Sequence, residues 1–291
     1  MFQIIGILVV FGAVLGGYLM EKGNIHVLLQ PAELIIILGA AIGTVLIANP
    51  LHVLKKILMG IAGTFGASKY DQQRYRDSLK MMFTLFSAAR RSGLSAIESD
   101  IEEPDKSKIF GAFPAIMKDR HVLSFICDTM RTASLGSLDP FDLDQMMEVD
   151  MDTHHDESSV PVAALTTMAD SLPGLGIVAA VLGVVVTMGA LGGPPEEIGH
   201  KVAAALVGTF LGILLCYGLV GPISSSMAKG ADDEKRYYHF LRVSMIAFVK
   251  GMPPVVAVEM GRRAIPGHVR PSFTEMEADC RNKKPETAAA A

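Results

Sequence analysis

Four long stretches of this chain contain no Asp, Glu, Lys or Arg: Phe2–Met20, Leu34–Leu54, Leu172–Gly193 and Val202–Ala228. A helix rises about 1.5 Å per residue, so roughly 20 apolar residues cross a hydrocarbon core of ~30 Å. All four stretches qualify, which predicts a polytopic membrane protein. The fourth would reach about 40 Å as a single helix. It must tilt or continue out of the bilayer, and Pro222 is a natural place for the change.

Composition agrees only when read as segregation. Of 291 residues, 50% are hydrophobic and 19% charged, yet 26 Lys+Arg and 30 Asp+Glu remain to be placed. They fall outside the four stretches, so apolar and polar blocks alternate along the chain. A net charge of −4 argues against a nucleic-acid binder, which shows a basic surplus. Cys127, Cys216 and Cys280 are far apart and odd in number, so neither a disulfide framework nor a zinc site is indicated. No phosphate-binding Gly-rich loop with its Lys occurs.

The first stretch lacks the basic leader and small-residue cleavage site of a secretory signal. Basic residues near the span ends orient the chain. The connections Glu21–Glu33 and Pro194–Lys201 hold one each, Lys22 and Lys201. Lys55, Lys56 and Lys69 follow span two, and Lys229, Lys235 and Arg236 follow span four. Basic ends stay cytoplasmic, so both termini are expected inside, in a multi-pass inner-membrane protein.

The expected fold class is therefore all-α. Residues 1–54 carry spans one and two, 55–171 form a large helical cytoplasmic domain, 172–228 carry spans three and four, and 229–291 form a cytoplasmic tail, disordered from about residue 283. In the cytoplasmic domain Tyr75, Leu79, Met82, Phe83 and Phe86 recur at helical spacing, as do Val122, Phe125, Ile126 and Met130. Ser92-Gly93 breaks the first of these helices, and Pro140 suits a first helical turn. No strand pattern is present.

Within the spans, Gly12-x-x-x-Gly16, Gly39-x-x-x-Gly43 and Gly208-x-x-x-Gly212 each set two glycines on one helix face, as close helix packing or self-association requires. Asp, Glu, Lys and Arg are missing from all four stretches, whereas proton carriers hold a titratable group at membrane depth. The polar side chains there include Thr44, Asn49, Thr187, Thr209, Cys216 and Tyr217. Alone, such a chain can guide an ion but has nothing to bind a proton at the midplane. Either a partner brings the titratable group, or the chain carries a neutral solute or is structural. Pro173 and Pro222 sit at matching heights in antiparallel spans, where each permits a kink. They suit a hinge pair, or merely ordinary helix-end prolines.

Arg90, Arg91 and Glu98 flank the Ser92-Gly93 break. Exposed charges of this kind steer docking more than they set affinity, and they also suit a plain solvated face. His154-His155-Asp156-Glu157 resembles ligand material, but neighbouring histidines on a helix point about 100° apart. Asp150 and His154 alone make a weak metal site, so no metal site is expected. No catalytic triad or paired carboxylate stands out, so no enzyme and no cofactor are expected.

At this point the order of features resembles a family. Four spans, short outer loops, a large helical insertion and a cytoplasmic tail are similar to the stator proteins of the flagellar motor, within the MotA/TolQ/ExbB group. The strings Leu29-Gln30-Pro31-Ala32-Glu33-Leu34, Asp170 to Val181, Val207 to Leu215 and Arg270-Pro271-Ser272-Phe273 carry the likeness, in register to about residue 280. It implies a MotB-like single-span partner that supplies the ion-binding Asp, five chains of this kind around two partners, and torque on the rotor protein FliG. It implies that Arg90 and Glu98, with Arg91 beside them, face the rotor, that Pro173 and Pro222 are the membrane-boundary hinge, and that Thr209 lines the ion pathway. Thr187, Ala180 and Tyr217 are placed on the same partner-facing path. Asp150 stands where the family more often has Glu.

Each unit charge crossing 100 mV supplies about 2.3 kcal/mol, enough for a small conformational step. The run Ile177 to Val181 is as in proton-type relatives, where sodium-type ones carry a hydroxyl, so H+ is the expected ion. Two alternatives stay open from the sequence: an ExbB/TolQ-like energising subunit, expected to have three spans and the opposite N-terminal side, and a solute carrier.

Overall fold

In the computed structural model, residues 2–136, 138–189, 192 and 194–281 are described. Helices follow one another from α1 (Phe2–Met20) through α2 (Ile25–Leu28), α3 (Pro31–Ala48), α4 (Leu51–Thr64) and α5 (Gln72–Ser92). Short helices α6 (Glu98–Glu102), α7 (Lys108–Gly111) and α8 (Pro114–Met117) lead to α9 (Arg120–Ser134). Then come α10 (Pro140–Met188), α11 (Pro195–Leu215), α12 (Gly221–Val249), α13 (Pro254–Ala264) and α14 (Phe273–Arg281). Strands are absent among the described residues. The fold is all-α, with four helical segments long and apolar enough to cross a membrane. The predicted disorder from about residue 283 lies outside the described residues.

The chain divides into two compact units, one of Met1–Ala67 with Glu157–Ala231 and one of Ser68–Asp156 with Asp232–Ala291. The first holds the four spans. Its own core is small, built from Ile37 and Ala41 on α3, Leu165, Ala169, Leu172 and Ala179 on α10, and Leu215, Cys216 and Val220. Most of its large apolar side chains are exposed instead, among them Ile47, Val181 and Val186. A span in lipid has no reason to bury such groups, because lipid tails are as apolar as they are. Close backbone contact replaces bulk here. A methyl group at Gly176 would lie 2.8 Å from the Gly208 carbonyl oxygen, and one at Gly212 would lie 2.6 Å from that of Leu172. The Gly208/Gly212 pair thus packs inside the chain, whereas a methyl at Gly12, Gly16, Gly39 or Gly43 would meet nothing within 4 Å.

The two prolines take different settings. Pro173 stands inside α10, which runs through it and through Pro161 as one helix of 49 residues, rather than opening a separate span. Pro222 follows a π-helical turn at Cys216–Val220, which separates α11 from α12. A proline lacks the N–H that an α-helical ladder would use, and a widened turn re-routes the carbonyls ahead of it. Span four thus passes a π turn just before Pro222 and continues as helix beyond it.

The second unit is a water-soluble type of core. Tyr75, Leu79, Met82 and Phe86 of α5 and Val122, Phe125, Ile126 and Met130 of α9 are buried, as their spacing predicts, while Phe83 packs at the edge. Phe86 stacks on Phe248 with ring centroids 4.4 Å apart. Asp71 caps α5 by accepting the Arg74 N–H, and Gly93 ends the α5 turn at φ 87, a value glycine reaches without a Cβ clash. Arg74 is buried as well. It reaches the Asp119 carboxylate at 2.6 Å and lies over the Tyr237 ring at 5.1 Å, while Lys69 adds a second cation to Asp119 at 2.8 Å.

Candidate functional site

In the membrane unit, of the residues expected along the ion path, Ala180 is the one whose contacts place it at the seam between α10 and α11. Ala180 is half-buried, and its backbone nitrogen would lie 3.1 Å from a methyl group at Gly208. Thr209 is half-buried next in sequence to Gly208. Thr187 is buried and donates its hydroxyl to the Gly183 carbonyl at 2.8 Å. Tyr217 is elsewhere: it sits in the π turn, 74% exposed, on the rim of a separate cavity.

That cavity, of 430 Å³, is lined by Asp170, Tyr217, Pro222, Thr166 and Ser224 among others. Thr166 and Ser224 hydroxyls lie 2.7 Å apart, each also within reach of the Val162 carbonyl, so that one donates to the other and the second to that carbonyl. Pro222 is thus beside a small polar pocket that joins α10 to α12 at side chains with no formal charge, with Asp170 as its one acid. A hinge at this place would move that pocket with it.

One residue corrects the sequence expectation that the spans hold no acid. Helix α3 starts at Pro31, not at Leu34, because Pro31 is suited to a first helical turn. Glu33 therefore lies inside the spanning helix and is 7% exposed. Its Oε2 would be 2.6 Å from a methyl group at Gly208, and its Oε1 3.4 Å from one at Gly183. Oε2 has no hydrogen-bond partner. A charge-free window placed the residue one position outside the span. Only the partner glycines, 150 and more residues away along the chain, put it among the helices.

In the polar unit, Arg90 and Arg91 occupy the last turn of α5 and Glu98 opens α6. Cations at a helix C-terminus and an acid at an N-terminus are favoured by the helix dipole, which alone explains these placements locally. The structure adds a concave surface. Arg90 and Arg91 line a cleft of 970 Å³ together with Lys80, Lys108 and Arg281 over a floor that includes Phe83, Ile109 and Phe113. Glu98 is exposed but does not line it. The expected charged group is thus split: a basic cleft on one side, an acid on the next short helix. Lys108 and Arg281 have no sequence signal that would join them to Arg90, since both arrive through the tertiary fold.

His154 is not arranged with Asp150 as a metal site. Its Nε2 lies 3.4 Å from Glu234 Oε1, which also accepts the Tyr70 hydroxyl at 2.7 Å, and its ring packs near His121 and Tyr238. Burial pushes the Glu234 carboxyl up, but the hydrogen bonds of His154 and Tyr70 and the nearby charges of His154 and Lys69 outweigh it, leaving the group below its usual range. Burial pushes the Cys127 thiol up to about 12, the setting of an inert core cysteine. Among the described residues no three His, Cys, Asp or Glu side chains are grouped as metal ligands.

Comparison with known proteins agrees with this organisation. The family model described as motility protein A N-terminal matches residues 4–93, and that of the MotA/TolQ/ExbB proton channel family matches residues 119–238. Motility protein A of Escherichia coli (strain K12) is 39% identical over 284 residues, 98% of this chain and 96% of the relative. Its Salmonella typhimurium counterpart is 38% identical, covering 97% of this chain and 95% of the relative. The chemotaxis protein LafT of Vibrio parahaemolyticus is 35% identical, covering 94% and 96%. In fold, the chain is similar to a chain of C. jejuni MotAB, with a TM-score of 0.74 at 16% identity over 91% of this chain and 95% of that one. A chain of the flagellar MotAB stator complex from Bacillus subtilis gives the same TM-score at 23% identity, covering 93% and 98%. With likeness running through both units at this level, the chain belongs to the motility protein A family, within the MotA/TolQ/ExbB proton channel group.

Proposed function

We propose that this chain is a stator subunit of the flagellar motor, forming with a single-span, MotB-like partner a proton channel whose flow turns a rotor. The observation that carries the proposal is identity of 39% to a motility protein A over 98% of the chain, covering the spans and the polar unit alike. Four spanning helices also fit it better than the three expected of an ExbB/TolQ-like subunit. Both termini and the polar unit lie in the cytoplasm, following the basic residues after spans two and four. Five copies surround two partners, as the family resemblance implies. The outward faces of Gly12/Gly16 and Gly39/Gly43 give such copies and partners room for close helix approach.

Roles follow from position. Ala180, Thr187 and Thr209 line the ion path at the α10/α11 seam, and Tyr217 faces the partner from the π turn. Pro173 and Pro222 act as the conformational hinge, with the polar pocket at Thr166, Asp170 and Ser224 moving as they flex. Arg90 and Arg91, with the basic cleft behind them, and Glu98 beside them meet complementary charges on FliG. Protons are the coupling ion, and the subunit has no catalytic or cofactor chemistry of its own.

The test is swimming of cells carrying Arg90→Glu or Glu98→Lys, with and without compensating charge changes in the rotor protein, at equal stator levels in the membrane. Lost motility restored by the rotor change supports torque transfer through these charges. Normal swimming after deletion of the whole chain would overturn the stator reading, and solute uptake by the chain alone in liposomes would replace it with a carrier.

A further inference from the structure

Among the described residues, Glu33 is the one acid of the membrane unit that is buried. Its carboxyl lies against both α10 and α11. Gly208 leaves the space its Oε2 fills, since a methyl there would be only 2.6 Å away, and Gly183 opens the other side. Ala205 closes the same seam, lying 2.7 Å from where a methyl on Gly183 would be. Three small residues from two helices thus make room for one polar side chain that is 7% exposed, and they offer it no hydrogen.

An acid confined in this way is a functional group by default, because an ionised carboxylate without a donor is expensive to bury. The elements packed on it carry few other titratable groups. They are His26 on α2, Glu157, Asp170 and the acids and histidines before them on α10, and Glu196, Glu197, His200 and Lys201 in the first turns of α11. Lys201 is paired with Glu197 at 2.9 Å, and Glu33 Oε2 has no hydrogen-bond partner among the described residues. The partner that an unpaired Oε2 can take without a further side chain is a proton. The position suits traffic, since Ala180 and the Gly208-Thr209 step lie against the same seam.

We propose that Glu33 is a proton-binding site of this chain's own, a relay that takes a proton at its Oε2 from water on the outer side and passes it toward the ion-binding carboxylate of the single-span partner. This rests on the stator reading and deepens it. In each transfer a hydronium ion loses its proton to the carboxylate, and the resulting carboxyl loses it in turn to the partner's carboxylate, so charge and protons balance. The relay governs how fast protons arrive, not whether the partner's site exists.

Two experiments test it. The first uses the wild-type protein in native membranes: dicyclohexylcarbodiimide, which adds to protonated carboxyls in apolar surroundings, is applied across a pH series and adducts are mapped by peptide mass spectrometry. An adduct on Glu33 that declines as pH rises is expected. Adducts on Glu21 or Asp170 with none on Glu33 would overturn the proposal. The second compares swimming speed of Glu33→Gln and Glu33→Asp at matched membrane levels. Gln keeps the shape but cannot carry the proton, so its speed should fall at least about threefold near pH 8, where protons are scarce, and recover toward about pH 6, in line with loss of a positioned proton carrier. Asp should retain part of the rate. Equal slowing at every pH would mean a packing role, and unchanged speed would mean none, so either result removes the relay. If Glu33→Gln fails to accumulate, the labelling result decides alone. Should deletion of the chain leave motility intact, the stator reading fails while labelling still reports whether Glu33 binds protons.

Discussion

The two units of this chain solve the same packing problem in opposite ways. The polar unit fills its interior with large side chains, among them Tyr75, Phe86, Phe110, Tyr237 and Phe240, all buried to 1% exposure or less. The membrane unit keeps its large side chains outward and brings backbones together at Gly176, Gly208 and Gly212. Water drives the first arrangement, since burying apolar area is favourable there. In lipid that drive is missing, and close contact between helices is what remains. The difference teaches where each unit is vulnerable: the polar unit to lost volume, the membrane unit to added volume.

Truncation in the polar core should break it most. Phe86→Ala removes a ring stacked on Phe248 and should cost about 3–5 kcal/mol, read as a large fall in the thermal midpoint of the polar unit's unfolding in detergent. In the membrane unit the matching injury is enlargement. Gly212→Val would force two backbones apart and should cost roughly 1–3 kcal/mol or more, seen as loss of heat-resistant protein.

Gly39→Ala sharpens the contrast, because nothing surrounds that position within the chain. Taken alone it should stabilise α3 by about 0.5–1 kcal/mol. Impaired assembly with an intact subunit would instead show that a second chain covers this face.

Smaller effects separate polar contacts in the two environments. Ser224→Ala removes the hydroxyl shared with Thr166 and Val162 and should cost about 1 kcal/mol, measured as a lowered midpoint. Glu234→Gln in the polar unit should act through pH. Its folded carboxyl titrates below its unfolded value, so its stabilisation is present above the usual carboxylate range and disappears as pH falls through the folded value. The variant should therefore flatten the acid limb of the stability profile and leave it nearly parallel to wild type elsewhere. Least of all, Arg263→Ala should move stability by less than about 0.5 kcal/mol, because Arg263 is exposed and Glu259 keeps Arg262 at 2.6 Å.

Much of this was legible in residue order. Charge gaps located the four spans, because no bilayer-crossing helix tolerates many ionised groups. Helical spacing picked out the buried faces of α5 and α9, because a helix returns to one side every three or four residues. The site was legible only in part. Arg90, Arg91 and Glu98 could be named from the chain, and so could Pro173, Pro222 and Thr209. That Arg90 shares a cleft with Lys108 and Arg281 could not, because those residues come from helices that meet only after folding.

Sequence by itself determined which segments belong with lipid and which with water, since that choice depends on transfer of each stretch of residues more than on its neighbours. Tertiary structure alone decided which glycines are contacts and which are open faces. It decided that α10 continues through both of its prolines and that span four passes a π turn just before Pro222. It also decided that Glu33, written at the edge of a span, is enclosed within one. The glycine contacts and the enclosure of Glu33 depend on distances between residues far apart in the chain, and no local pattern carries such a distance.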